Sequence, residues 1–321
     1  MRLLKLIPDD TNIDWMRWRN LAGLISLLLV LASTALVATR GLNLGVDFVG
    51  GQQIRASFDR PAPIEDVRAR IAALNLGDAS ISEFGNPNTL SIRMAAPEGG
   101  ADAASLVVNR VRTTINQAYP GTEFAVDNVT GKVSQELAWD GGLAILLAIL
   151  GIAIYIWFRF EWQFGVGALT TLFHDVVIVM GFFSLTQLEF NLNVVAAILT
   201  IVGYSLNDTV VIYDRIRENL RKFRKMEIVS LLNVSLNETL SRTIVTSLSI
   251  MLALLMLLIF GPPVIFGLTA AILFGTVIGT YSSIYVSAPM LVWLKVDSNS
   301  FLPKNAGPGS AERVAPKEGY S

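Results

Sequence analysis

The segment IVGYSLNDTVVIYDRIREN, residues 201–219, carries an acid where an acid is costly. Asp208 sits inside an apolar helical stretch, six residues before the charges that begin at Asp214. A charge at the centre of a membrane helix costs about 2.5–3.5 kcal/mol on insertion scales, so such residues face a bundle interior or a watery path. At 1.5 Å per residue Asp208 is ~9 Å inside its end of the helix. Depth alone leaves open a polar residue near the interface, bonded to a neighbouring helix. Arg242 shifts the balance. In NETLSRTIVTSLS it lies four residues beyond Glu238, ~6 Å past its own edge. An acid and a base at matched depth on packed helices offset each other's desolvation. The chemistry this offers is reversible proton binding, since protonating the acid releases the arginine and changes helix packing. A permanent structural ion pair is the static alternative.

Other residues extend or dilute that chemistry. Thr200, Tyr204 and Asp208 are four apart and share one side of a helix, which also carries Ser205 and Asn207. Such a stripe lines a proton or water route, or bonds other helices. His174 and Asp175, in LFHDVVIV, form a second ionisable island. Histidine is the side chain that titrates near neutrality, which suits a relay; a lock between two spans is the alternative. Ala271, Gly275, Gly279, Ser283 and Ser287 recur every fourth residue, a spacing that lets another helix approach closely, within this chain or from a second polypeptide.

Catalytic chemistry finds little support. There is no cysteine and one histidine, which excludes thiol chemistry and argues against a histidine zinc site or a Ser/His/Asp triad. TGKVS lacks the earlier glycine of a phosphate-cradling loop, because Val126 stands there. No basic–aromatic surface points to nucleic acid. The expectation is a non-enzyme with no cofactor and no metal.

The elements that hold these residues are membrane spans. The chain has 321 residues, 52% hydrophobic and 16% charged, with a mean hydropathy of +0.53. That balance marks a membrane protein with a polar portion attached. About 20 apolar residues cross a bilayer, and six stretches qualify: 20–39, 138–158, 164–185, 190–213, 242–260 and 264–294. The last two are divided by GPP at 261–263, where proline stops a helix. The first is a retained anchor, too long for a signal peptide.

Arg2, Lys5, Arg17 and Arg19 precede the first span, and six basic residues lie between Arg215 and Lys225. The opposite short loops have none, so both termini are expected to be cytoplasmic. Residues 1–19 form the N-terminal segment. Residues 214–241 read as a basic amphipathic segment lying on anionic lipid. Residues 295–321 are expected to be a disordered tail. Residues 40–137 alternate and repeat in the order β-α-β-β-α-β, which suits a small ferredoxin-like α+β module outside the membrane.

The stretches VGYSLNDTVVIYDRIREN, NETLSRTIVTS, FRFEWQFGVGALTTLFHDV and GVDFVGG together resemble the SecF family of protein-export membrane subunits. The resemblance runs from the first span to the end of the sixth. It implies an RND-like half of six transmembrane helices with a small periplasmic module. It also implies pairing with SecD and association with the SecYEG channel and accessory membrane proteins. The implied work is use of the proton-motive force in late steps of preprotein translocation across the bacterial inner membrane. Asp208 matches the family's fourth-span aspartate and Arg242 its fifth-span arginine, both implicated in proton transport together with a SecD acid. The glycines of GVDFVGG read physically as a hinge or tight turn into the first external strand, and Asp47 is given no proton role. A non-transporting scaffold and an RND-type small-molecule exporter subunit are the alternatives. The module's size leaves little wall for a drug-sized pocket.

Overall fold

The computed structural model describes residues 11–77, 79–95, 97, 100–129 and 131–296. The tail beyond 296, Arg2 and Lys5 lie outside the described residues. Helix α1 (Arg19–Arg40) is followed by a short turn α2 (Val46–Val49) and the module. The module comprises β1 (Gly51–Ser57), α3 (Ile64–Ala72), β2 (Ala79–Phe84), β3 (Asn86–Met94), α4 (Gly100–Ala118) and β4 (Glu123–Val129). Its sheet is antiparallel in the order β2-β3-β1-β4, the ferredoxin-like arrangement. The register aligns Ile81, Ile92, Ile54 and Val126 in one row across all four strands. Because side chains alternate, that row faces α3 and α4, where Val67, Ile71, Val111 and Ile115 close the core. Each fully buried aliphatic side chain contributes about 1.5–3 kcal/mol. The other face carries Gln53, Arg55, Ser91 and Arg93, and turns toward the membrane helices.

The bundle continues with α5 (Gly131–Arg159), α6 (Trp162–Thr186), α7 (Leu192–Lys222), α8 (Ile228–Phe260) and α9 (Phe266–Ser282). After α9 a five-residue π-helical stretch (Ser283–Ser287) leads into α10 (Ala288–Trp293). Among the described residues six helical segments are long and apolar enough to cross a membrane. Helices α6 and α7 form the interior; α1, α5 and α8 are largely uncovered. Helix α7 packs against α5, α6, α8 and α9.

Three boundaries differ from the sequence expectation. Helix α5 starts at Gly131, directly after the module, so the second span is the far end of a longer rod. Helix α8 starts at Ile228, before the expected 242. The segment 214–241 is therefore no separate surface helix: it is the end of α7, a short turn and the start of α8. Leu231, Leu232 and Leu236 are buried against Ile212, Ile216 and Leu220, which draws the segment into the bundle. The chain before α1 locks onto the same place. Asn233 Oδ1 accepts from the Met16 amide at 3.0 Å, and Asn237 Oδ1 accepts from the Ile13 amide at 3.0 Å.

Candidate functional site

Asp208 is buried, 3% exposed, on the α8 side of α7. Its neighbours are hydroxyls. Tyr204 Oη donates to Ser247 Oγ at 2.9 Å, and Ser247 Oγ is 2.8 Å from Thr280 Oγ1. The Ser247 hydroxyl also lies within reach of the Asp208 carboxyl. Asp208 Oδ2 nevertheless has no hydrogen-bond partner. One polar cluster thus joins α7, α8 and α9 around an acid with an oxygen to spare.

Arg242 does not meet that acid. No ion pair joins them among the described residues, and Arg242 is exposed, although its charge still acts on the carboxyl. The reason is register. Tyr204–Ser247, Arg215–Glu238 and Asn219–Ser235 bonds fix how α7 and α8 run past each other. Ser247 stands beside Asp208, and Arg242 falls about one turn nearer the Arg215 end. Thr239, Thr243 and Ser247 make the buried stripe of α8, and Arg242 sits off it. Arg242 lines an open cleft with Asp214, Glu218 and Glu238. Arg215 holds both Glu218 (2.6 Å) and Glu238 (2.7 Å) there.

Thr200 and Asn207 do not join the cluster. Both are exposed, and the Thr200 hydroxyl bonds its own helix at Ala196 O. Of the expected stripe, Tyr204 and Asp208 alone turn inward.

His174 and Asp175 lie elsewhere in the interior. Asp175 Oδ1 is 2.8 Å from His174 Nδ1, and Oδ2 accepts from Ser205 Oγ at 2.5 Å and Ser282 Oγ at 2.9 Å. One carboxylate therefore ties α6 to α7 and α9. The small-residue stripe is used inside the chain. Gly275 faces the Ile201 side chain, where a Cβ would stand 2.5 Å from two of its carbons, and Gly279 faces Ser205. Ala271 packs against the same apolar cluster as Ile198 and Ile201. Ser283 and Ser287 lie in the π-helical stretch, and the Ser287 carbonyl accepts from Tyr213 Oη at 3.2 Å. Close approach to α7 is what the spacing serves.

Sequence reasoning missed Ser247, Thr280 and Ser282, because single hydroxyls in apolar helices carry no strong signal. It also passed over Glu189. This residue lies in the loop between α6 and α7, where Gln53 Nε2 of the sheet donates to its Oε2 at 2.7 Å. Burial pushes the Glu189 carboxyl up from its ordinary value, against the opposing pull of Arg93, Asn191, Gln53 and Arg55. Asp47 has a structural task, accepting from the Leu192 amide at 2.9 Å at the start of α7.

The family model described as "Protein export membrane protein SecD/SecF, C-terminal" matches residues 110–297, and the "SecD/SecF GG Motif" model matches 35–62. The protein translocase subunit SecF of Rickettsia prowazekii is 41% identical over 292 residues, covering 90% of this chain and 93% of that one. SecF of Pseudomonas aeruginosa is 41% identical over 300 residues, covering 92% and 95%. The crystal structure of SecDF, a translocon-associated membrane protein from Thermus thermophilus, superposes with a TM-score of 0.82 at 32% identity over 90% of this chain. This chain spans 40% of that longer one. A super-membrane-facing form of SecDF superposes at 0.65 with the same 32% identity. Matching family models, near-full-length similarity to translocase subunits and a shared bundle agree: this chain belongs to the SecD/SecF family of protein export membrane proteins, in its SecF branch.

Proposed function

We propose that this SecF-type translocase subunit acts with SecD to couple the proton-motive force to late steps of preprotein movement across the bacterial inner membrane. Asp208 is the proton-binding group and Arg242 the cation that answers it. The observation that carries the reading is the unpartnered Oδ2 of a buried acid. A buried carboxyl normally has its oxygens satisfied, so this one points to a partner supplied from outside the chain. Arg242 has no carboxylate in ion-pair range among the described residues, and the cleft it lines is open. Two half-sites lacking complements fit a site completed by a second subunit. The basic residues of α7 and the chain before α1 share one end, opposite the module, which supports reading that end as cytoplasmic and the module as periplasmic. The SecYEG channel, accessory membrane proteins, preproteins and surrounding lipids complete the expected set of partners.

The test is Asp208→Asn in the chain purified with SecD. Unchanged co-purification with loss of gradient-driven preprotein export in vesicles is the expected result. Export that persists at the unaltered rate removes Asp208 from coupling. It would favour a scaffold role, to which the Asp175 tie between α6, α7 and α9 is the one observation that already leans.

A further inference from the structure

At the end of the bundle opposite the module, some basic residues are neutralised and others are not. Arg159, Arg215 and Arg217 are tied to Asp214, Glu238 and Glu161 respectively. Arg17, Arg19 and Lys295 make no ion pair among the described residues. Arg17 and Lys295 are exposed, and Arg19 is partly so. Packing gathers these three at one corner. Met16, Leu291 and Val296 share an apolar cluster, so the start of α1 and the end of α10 meet. The Trp293 ring lies against Gly23 of α1, one of its carbons 2.9 Å from where a Cβ would stand. Arg19 precedes Gly23 by four residues, on the same side of α1 and one turn nearer the end. Two half-exposed indoles frame the corner: Trp18 at 54%, with the Arg17 guanidinium 5.9 Å from its ring centre, and Trp293 at 49%.

The fold by itself does not account for these cations. Arg17 and Arg19 stand at the start of α1, the positive end of its dipole, where a cation is disfavoured. Lys295 stands where glycine is usual. Its amide donates to Val292 O and that of Val296 to Leu291 O, each at 3.0 Å, the paired bonds of a Schellman cap. The residue between them has φ +53°, an angle that strains any side chain. The chain supplies no net counter-charge of its own. Beyond Val296 three acids meet three basic residues, and before Thr11 two meet two. Tryptophans at the rim of a membrane bundle sit at headgroup level, and clustered Lys and Arg there attract acidic headgroups.

We propose that the corner between the start of α1 and the end of α10 binds an anionic phospholipid headgroup. Arg17, Arg19 and Lys295 hold its phosphate, and its acyl chains lie along the exposed leucines of α1, Leu21, Leu24 and Leu28. This surface is separate from the segment 214–241, which the bundle draws in. The inference goes beyond the Asp208 reading and stands whichever way that reading is decided.

Native mass spectrometry of the full chain, released from micelles that contain phosphatidylglycerol or phosphatidylcholine, reads lipid retention directly. The protein should keep phosphatidylglycerol in preference, and inorganic phosphate should not displace it. A basic residue near an anionic surface contributes about 1 kcal/mol, roughly fivefold in affinity. Arg19→Gln and Lys295→Gly should therefore each weaken retention by roughly fivefold. Lys295→Gly has a second signature: it relieves the strained turn, so the melting temperature in lipid-free detergent should not fall. Arg221→Gln, which removes a cation from the last turn of α7, should leave retention unchanged. Equal retention of the two lipids overturns the proposal, as does a loss in Arg221→Gln equal to that in Arg19→Gln. Displacement by inorganic phosphate would make the corner a simple anion site, and retention that rises when residues 297–321 are deleted would make that segment its occupant; either result also overturns it.

Discussion

Two adjacent glycines show how single residues hold the entry to the module. Gly50 has φ +73° and Gly51 φ +118°, a region that residues with a Cβ avoid. A Cβ on Gly51 would also stand 2.5 Å from the Met94 carbonyl oxygen, which is backbone and does not yield. Gly51→Ala should cost about 1–3 kcal/mol from backbone strain alone, with the overlap added. Gly41, at φ +71° with open space around it, should cost about 1–2 kcal/mol as alanine. Thermal unfolding of the full chain in detergent ranks the two, and equal losses would refute the overlap argument. This motif was legible in the sequence because glycine alone tolerates such angles. Asp208 was legible for a related reason: an acid in an apolar run stands out by its cost. Ser247 was not, since a serine bonded within a membrane helix costs little and looks the same whether or not it reaches an acid.

At the scale of elements, the contact of α7 with α9 rests on absent side chains. Gly275 admits Ile201, and Gly279 admits Ser205 at 3.3 Å from where a Cβ would be. Gly275→Ala must displace a branched side chain fixed in the core, so it should lose about 1–3 kcal/mol. Gly279→Ala needs only a slight adjustment and should lose distinctly less. Gly203→Ala on α7, with nothing near the added carbon, serves as the control and should not lower the melting temperature. A ranking in which Gly279 outweighs Gly275 would contradict the packing described. The stripe's period was readable, yet its partner was not, because spacing says that a helix comes close without saying which one. The starts of α5 and α8 escaped for a different reason. Hydropathy registers the stretch that lipid accepts, whereas Gly131–Arg159 and Ile228–Phe260 extend beyond it, and Leu231, Leu232 and Leu236 are held by packing that only the folded bundle reveals. The β-α-β-β-α-β order survived translation into strands and helices because its periods of two and 3.6 are local properties.

For the whole molecule, the question is how the module is joined to the bundle. Arg93 of the sheet donates to Leu44 O and Asn43 Oδ1, each at 2.7 Å, and Gln53 donates to Glu189. The turn at Gly85 rests against Pro263, and a cavity of about 310 Å³ lies beside it, lined by Phe84, Glu189 and Phe266. Such a polar junction holds by a few bonds and not by a large apolar area, so relative motion of the two parts is its natural behaviour. Glu189 makes that junction sensitive to pH. Burial in the docked arrangement raises its carboxyl above the ordinary value of 4.5, with Arg93 and Arg55 pulling the other way. The docked state therefore binds the proton more tightly than the open chain does. By linkage, the stabilisation is complete below pH 4.5 and is lost as pH rises through the raised value. Glu189→Gln removes the charge and keeps an oxygen for Gln53, so at neutral pH the variant should be the more firmly docked protein. Hydrogen exchange reads this directly: slower exchange of β1, β3 and the 187–191 loop in the variant at pH 7, with the difference closing as the wild type is acidified. Faster exchange in the variant at neutral pH would mean that the Glu189 charge holds the module down through Arg93, and the direction of the pH dependence would reverse.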